Sequence, residues 1–449
     1  MRKSNKRSKL GSNSARLAKI VTVTQPQSPV ADATPTRRWA SPLLPIFLIV
    51  AVDILGFTII LPLLPFYSER MGASATVVGE LVSTYAVCQL IAGPILGQLS
   101  DRLGRRPILL VSQVGTLAGF LILAFSHHIW LLFLARAIDG ATAGNLTIAQ
   151  AYISDVTKPE DRAKSFALIG IAFGFGFLVG PAISAFLSRY GYQAPILAGS
   201  ALSFTTILCT FFLLPRREVV HERNASAAED AGPGGKRLSL ISWGQYRKYF
   251  RDRELARLLA QWLLFSFSFS TFISGFALFA QRRYLWNGRP VDVREVGYIF
   301  AFTGFIGIIM QGGVVGRMVK WLGEKRVVQI GFFSSFLGDA AIGFTHTVGQ
   351  LLWVAAFANI GGSGLRPALT SLITQKAGRR EQGVIIGLTQ SLMSVAQITA
   401  PLISGLLIDT SDKLHDGRFL TAWAIWAGVL AGLALFFPPR PYVATTAEL

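Results

Sequence analysis

The sequence predicts an all-α membrane protein with twelve transmembrane helices in two pseudo-symmetric six-helix bundles. Three observations predict it. The 449 residues are 51% hydrophobic and 15% charged, with mean hydropathy +0.48, whereas soluble domains average about 25% charged residues. Apolar runs lie near 43–67, 76–99, 107–126, 129–153, 163–188 and 193–215, and again near 257–281, 294–316, 326–346, 348–372, 382–409 and 417–438. Each is about the 20 residues that a helix needs to cross a bilayer's hydrocarbon. The two sets also repeat. Leu103-Gly104-Arg105-Arg106 aligns with Leu322-Gly323-Glu324-Lys325, and Gly180-Pro181-Ala182-Ile183-Ser184 with Ala400-Pro401-Leu402-Ile403-Ser404. Both matches lie about 220 residues apart, a spacing expected of parallel six-helix repeats.

The chain divides accordingly into a basic tail (1–42), a first bundle (43–215), a linker (216–256), a second bundle (257–438) and a short tail (439–449). The net charge of +19 is not a nucleic-acid footprint. Most Lys and Arg fall in alternate loops, the bias of cytoplasmic segments. Both termini and the linker are therefore expected in the cytoplasm, with the chain multi-pass in the cell (inner) membrane. The tail is Ser-rich with no acid before Asp32. It suits a cytosolic segment drawn to anionic lipid or an organelle transit peptide. The linker is Gly-rich and small at Ala225–Lys236, then mixes aromatic and basic residues over Tyr246–Leu255, as an interfacial amphipathic helix does. Cys88 and Cys209 sit inside apolar runs and read as packing residues.

Between the second and third runs stands Gly97-Gln98-Leu99-Ser100-Asp101-Arg102-Leu103-Gly104-Arg105-Arg106-Pro107. Glycine permits the tight turn, and the arginines mark a cytoplasmic loop. The string resembles the loop 2–3 signature of the major facilitator superfamily, with Gly97, Leu99, Asp101, Arg102, Gly104, Arg105 and Arg106 on motif positions. Asp155 and Lys158-Pro159-Glu160-Asp161-Arg162 flank the fourth and fifth runs. The resemblance implies that Asp101, Arg102, Arg105, Asp155 and Arg162 form a latch closed in one conformation. Solvated loop charge is the plainer alternative.

Charges inside the spans carry the functional reading, because each is costly there. In the fourth run, Arg136 and Gly140 match the superfamily's span-4 motif, and the resemblance to drug/proton antiporters ties Arg136 to proton coupling. A local Arg136–Asp139 contact is the alternative. Gly170, Gly174, Gly180 and Pro181 resemble the antiporter span-5 motif, with Ser184-Ala185 in place of its closing glycine pair. Asp53 in the first run is a proton carrier, a substrate contact or a structural partner. Tetracycline exporters are similar here, and their span-1 aspartate is functional. Asp339 is the second candidate carboxylate. Gly307 and Ser335 stand where those exporters hold a histidine and an acid, a departure that argues for a different compound.

Phe265, Phe269, Phe272, Phe276 and Phe279 share one face of the seventh run. They form either a packing or lipid-facing stripe, or an aromatic wall of a substrate cavity. Gln89, Asn145, Asn359, Arg366 and Gln390 add polar groups that are expected to face that cavity, together with Phe272 and Phe276. No GxxxxGK[ST] loop, nucleophile–base pair or metal cluster stands out, so the expectation is no enzyme, no cofactor and no bound metal. The expected partners are a small-molecule substrate, protons and the lipid bilayer, with the chain a monomer. The sequence thus reads as a proton-coupled exporter of amphipathic or hydrophobic compounds. A symporter or facilitator of a sugar or other metabolite is the alternative within the superfamily, and a non-transporting sensor or scaffold the alternative outside it.

Overall fold

The structure, a computed structural model, describes residues 43–157, 162–214, 249–377 and 382–437. The N-terminal tail, most of the linker including Tyr246–Lys248, Lys158–Asp161 and the C-terminal tail lie outside the described residues. The first half contains α1 (Leu43–Arg70), α2 (Ala75–Leu103), α3 (Arg105–Ala124), α4 (Ile129–Ala141), α5 (Asn145–Val156), α6 (Arg162–Leu187) and α7 (Gln193–Leu213). The second contains α8 (Arg253–Arg283), α9 (Val293–Ile309), a π-helical turn (Met310–Val314), α10 (Val315–Leu322), α11 (Glu324–Ile342), α12 (Val348–Gly362), α13 (Leu365–Ala377), α14 (Gln382–Leu414) and α15 (Arg418–Leu433). A hairpin pairs Leu285 with Pro290 and Trp286 with Arg289. Its turn residues Asn287 and Gly288 both have positive φ (52° and 78°), the geometry that matches a hairpin's twist.

Among the described residues, ten helical stretches are long and apolar enough to cross a membrane. The other two expected runs are helical but differ for local reasons. The ninth, α11, carries Glu324, Lys325, Arg326 and Asp339 in 19 residues. The fourth breaks between α4 and α5 at Thr142–Gly144. Backbone groups released in a span need partners, and α3 provides them. Ser112 Oγ donates to the Thr142 carbonyl and accepts from Gly144 N at 2.9 Å. The tenth run breaks at the matching place, Ser363–Gly364, between α12 and α13.

The repeat seen in the sequence is built into the backbone. Gly104 and Gly323 are the single residues that turn α2 into α3 and α10 into α11, with φ of 98° and 77°, a region that L side chains rarely adopt. Helix pairing also repeats. α1 packs on α6 and α7, and α8 on α14 and α15; α3 packs on α7, and α11 on α15. The halves meet through α2 against α14 and α6 against α9. Asp252 caps α8 by accepting from Glu254 N at 2.9 Å. The expected amphipathic lead-in is helical at 249–251 and ends there.

Contacts between the halves concentrate at one face, the face that carries the Leu285–Pro290 hairpin. There Ser83 Oγ donates to the Ile398 carbonyl at 2.6 Å and Thr76 Oγ1 to Asp409 Oδ2 at 2.9 Å. A Cβ at Gly297 would lie 2.6 Å from the Pro181 carbonyl oxygen, and one at Gly304 2.6 Å from that of Phe177. At the opposite, basic face, Gly93 and Gly97 of α2, Gly170 of α6, Gly312, Gly313 and Gly316 near the π turn and Gly387 of α14 have no described atom within 4 Å of an added Cβ. The halves thus pack tightly toward the hairpin face, while these glycines toward the basic face meet no described neighbour.

Candidate functional site: intramembrane charges between the halves

The break after α4 sets the geometry of the first carboxylate. Asn145 opens α5, and its Nδ2 donates to Asp53 Oδ1 at 2.7 Å. Asn145 is buried and its Oδ1 has no hydrogen-bond partner. No cation lies within ion-pair distance of Asp53 among the described residues. Arg136 is buried on α4 and pairs with Asp139 at 3.1 Å. Its guanidinium carbon is 5.7 Å from the Tyr85 ring centre. A Cβ at Gly140 would run into the backbone of Tyr85 and come within 2.9 Å of Cys88 Cβ, which explains glycine where α4 crosses α2.

In the second half, Asp339 accepts a hydrogen bond from Ser268 Oγ at 3.3 Å, across from α11 to α8. Ser335 instead faces α12: a Cβ at Gly362 would be 3.0 Å from its Oγ. A Cβ at Gly307 would lie 3.8 Å from Asn359 Oδ1, so a larger side chain there would enter the same space. Ser363 Oγ donates to Asn359 Oδ1 at 3.0 Å. Arg366 has a different neighbour. Its guanidinium carbon is 4.8 Å from the ring centre of Phe173 on α6, in the other half. Gln89 Nε2 donates to Tyr85 Oη at 3.2 Å, and Gln390 is exposed.

The glycines of α6 divide between two neighbours. Gly176 and Gly180 face α1, where a Cβ would strike Ile54 and Thr58, and Thr58 Oγ1 donates to the Gly176 carbonyl at 2.8 Å. Gly174 and Pro181 face α9. Gly170 is open toward the basic face. The phenylalanines of α8 also divide. Phe276 and Phe279 are fully enclosed; Phe276 packs 5.3 Å from Phe300 and Phe279 stacks 4.8 Å from Trp423. Phe272 stacks on Phe276 at 4.8 Å, and Phe269 reaches Phe177 of the other half at 6.5 Å.

At the basic face, Arg105 binds Asp101 at 2.5 Å, Asp155 at 2.9 Å and Ser100 Oγ at 2.8 Å. All four residues belong to the first half. Arg106 Nη2 donates to the Phe211 carbonyl at 2.5 Å. Arg102 is exposed at the end of α2, and Arg162 begins α6 with its side chain outside the described residues. The second half repeats the geometry with other chemistry. Glu324 takes the place of Arg105 and accepts from Ser371 at 2.6 Å and Gln375 at 3.1 Å. Exposed ion pairs are worth about 0.2–1 kcal/mol, so Asp101→Asn is expected to leave thermal stability close to wild type. If the Arg105 network biases the conformational equilibrium, transport should nonetheless fall several-fold. Unchanged transport from that variant would reduce the loop to a topology signal.

Sequence reasoning missed a clamp at the hairpin face. Arg282 of α8 binds Glu69 of α1 at 2.7 Å and Asp412 of α14 at 2.7 Å. Beside it, Tyr192 Oη donates to Asp292 Oδ1 at 2.8 Å, and Arg70 stacks 4.0 Å from the Tyr192 ring centre. Burial, reinforced by Asp292, pushes the Tyr192 hydroxyl above its ordinary range, so it stays a donor at neutral pH. Each of these charges ends a helix and reads singly as a loop charge.

Comparison with known proteins agrees with this architecture. The nucleoside transporter NupG superposes with a TM-score of 0.70 at 15% identity, covering 88% of this chain and 99% of NupG, a likeness of fold alone. Tetracycline resistance protein, class B, of Escherichia coli is 29% identical over 397 residues, 86% of this chain and 91% of that protein. Multidrug resistance protein 2 of Bacillus subtilis (strain 168) is 25% identical over 371 residues, 80% of this chain and 87% of that protein. The Major Facilitator Superfamily model matches residues 46–338 and 312–448. With nearly its whole length matched and its helices paired in two repeating halves, the chain is a multi-pass helical membrane protein that belongs to the major facilitator superfamily of transporters.

Proposed function

We propose that the chain is a monomeric, proton-coupled exporter of small amphipathic or apolar compounds, working by alternating access in the cell membrane with its basic face in the cytoplasm. The observation that carries this reading is the pair of half-buried carboxylates. Asp53 and Asp339 sit within spans, each hydrogen-bonded by a neutral side chain, Asn145 or Ser268, and neither is ion-paired among the described residues. A carboxylate so placed is stable when protonated and costly when charged. Proton release can therefore be coupled to a change of access. Looser packing toward the basic face suits loading of an exporter from the cytoplasm. The relatives named for tetracycline and multidrug resistance support the same direction of transport. Gly307 and Ser335, standing where tetracycline exporters hold a histidine and an acid, argue that tetracycline is not the preferred cargo.

Expression in a pump-deficient host tests the proposal with a panel that includes tetracycline, a rhodamine dye and neutral amphiphiles. Accumulation of at least one compound should fall, and a proton uncoupler should restore it. Export that persists with the gradient collapsed would remove proton coupling. Uptake that rises on expression would favour a symporter or facilitator.

A further inference from the structure

We infer that Arg366 is an anion subsite in the cavity between the halves, and that the compounds carried include amphipathic organic anions held by a carboxylate, sulfonate or phosphate group. The inference rests on the export reading above and adds a substrate class to it. Of the two span arginines considered as functional, Arg136 is ion-paired with Asp139. Arg366, on α13, has no carboxylate within ion-pair distance among the described residues; its recorded side-chain contact is the Phe173 ring. The Arg366 guanidinium makes no hydrogen bond to a described residue, so its N–H fork stays available, and that fork matches the two oxygens of a carboxylate or sulfonate. A cation left without a counter-charge in a span is costly unless it faces water or a ligand. Arg366 is half-buried and reaches across to the other half at Phe173.

The neighbours fit the same ligand. Asn359 lies on the preceding helix, α12, with Ser363 Oγ 3.0 Å from its Oδ1 and 2.5 Å from its carbonyl oxygen. Its Nδ2 faces no acceptor among the described residues, so the amide is a second donor. Gly307 leaves space beside it. One turn along α6 from Phe173 lies Phe177, packed edge-on against Phe269, which offers an apolar wall for an aromatic body. The acids are engaged elsewhere: Asp53 is held by Asn145 and Asp339 by Ser268. The described groups near Arg366 are thus donors and rings, which favours an anionic head over a cationic one.

Binding to the purified full-length chain in neutral detergent tests this, read as energy transfer from tryptophan to 1-pyrenebutyrate or to 1-pyrenebutanol. The two probes share ring and tether and differ in charge. Wild type should bind the butyrate about tenfold more tightly than the alcohol, the scale of one charge-assisted bidentate contact. Arg366→Gln should erase that preference, and Arg366→Lys, which keeps charge but loses the fork, should restore part of it. Equal affinity for the two probes in wild type overturns the subsite and needs no variant to fold. So does an Arg366→Gln protein of wild-type thermal midpoint that keeps the preference. Neither result touches uncoupler-sensitive export, so failure of the subsite is distinguishable from failure of the export reading.

Discussion

Asp53→Asn is expected to abolish gradient-driven efflux while leaving the protein folded. The reason lies in the Asp53–Asn145 contact. Asn145 Nδ2 donates to Asp53 Oδ1 at 2.7 Å, and Asn145 Oδ1 has no partner of its own. An asparagine at 53 keeps an acceptor for the first group and gains a donor for the second. The substitution therefore fixes the neutral form without a packing or hydrogen-bond penalty. Losing a proton-transfer group costs about 100-fold or more in rate, and efflux should fall by that order while substrate binding persists. Substrate-induced proton release from purified protein is the direct measurement. Wild type should release protons and Asp53→Asn should not. Release that survives Asp53→Asn and disappears in Asp339→Asn would move the proton site to α11, where Ser268 holds the second carboxylate. No release from wild type with transport intact would leave a facilitator.

How far this arrangement was legible follows from the range of each interaction. The repeat was legible because it rests on local backbone demands: Gly104 and Gly323 both turn with positive φ, and a glycine at each is visible in the sequence. The Arg136–Asp139 pair, three residues apart on one helix, was also within reach of spacing arguments. The partner of Asp53 was not, because Asn145 lies 92 positions away and faces it only after the break at Thr142–Gly144. Gly144 alone does not reveal that break, because the freed backbone groups are satisfied by Ser112 of another helix. The clamp of Glu69, Arg282 and Asp412 joins positions 213 and 130 apart and so looked like three separate helix ends. The shared face of the α8 phenylalanines could be read from spacing. Their division between an enclosed pair and a ring reaching the other half depends on where the two bundles touch.

The glycines of that contact give the second large effect. Gly79→Leu should abolish transport by wedging the hairpin face apart. A Cβ at Gly79 would run into the Pro401 carbonyl of α14, backbone that cannot yield as a flexible side chain would, and a leucine adds more volume still. Eighteen residues make five helical turns, so Gly97 lies on the same face of α2, near its other end, where an added Cβ meets no described atom. Gly97→Leu should therefore leave the present conformation intact and obstruct closure of the basic face instead. Gly316 is the place to read both. It lies nineteen residues beyond Gly297, one more than five turns, and the intervening π turn at Met310–Val314 accommodates the extra residue. A cysteine at Gly316, in a chain with Cys88 and Cys209 replaced by serine, should react with a polar maleimide from the basic face in the present conformation. Reactivity should drop about tenfold with Gly79→Leu, corresponding to a shift of about 1.4 kcal/mol in the equilibrium between states, and stay high with Gly97→Leu, although neither variant transports. General misfolding would move both variants the same way. Opposite labelling from two glycine-to-leucine changes on one helix face is what alternating access requires, and equal labelling would overturn it.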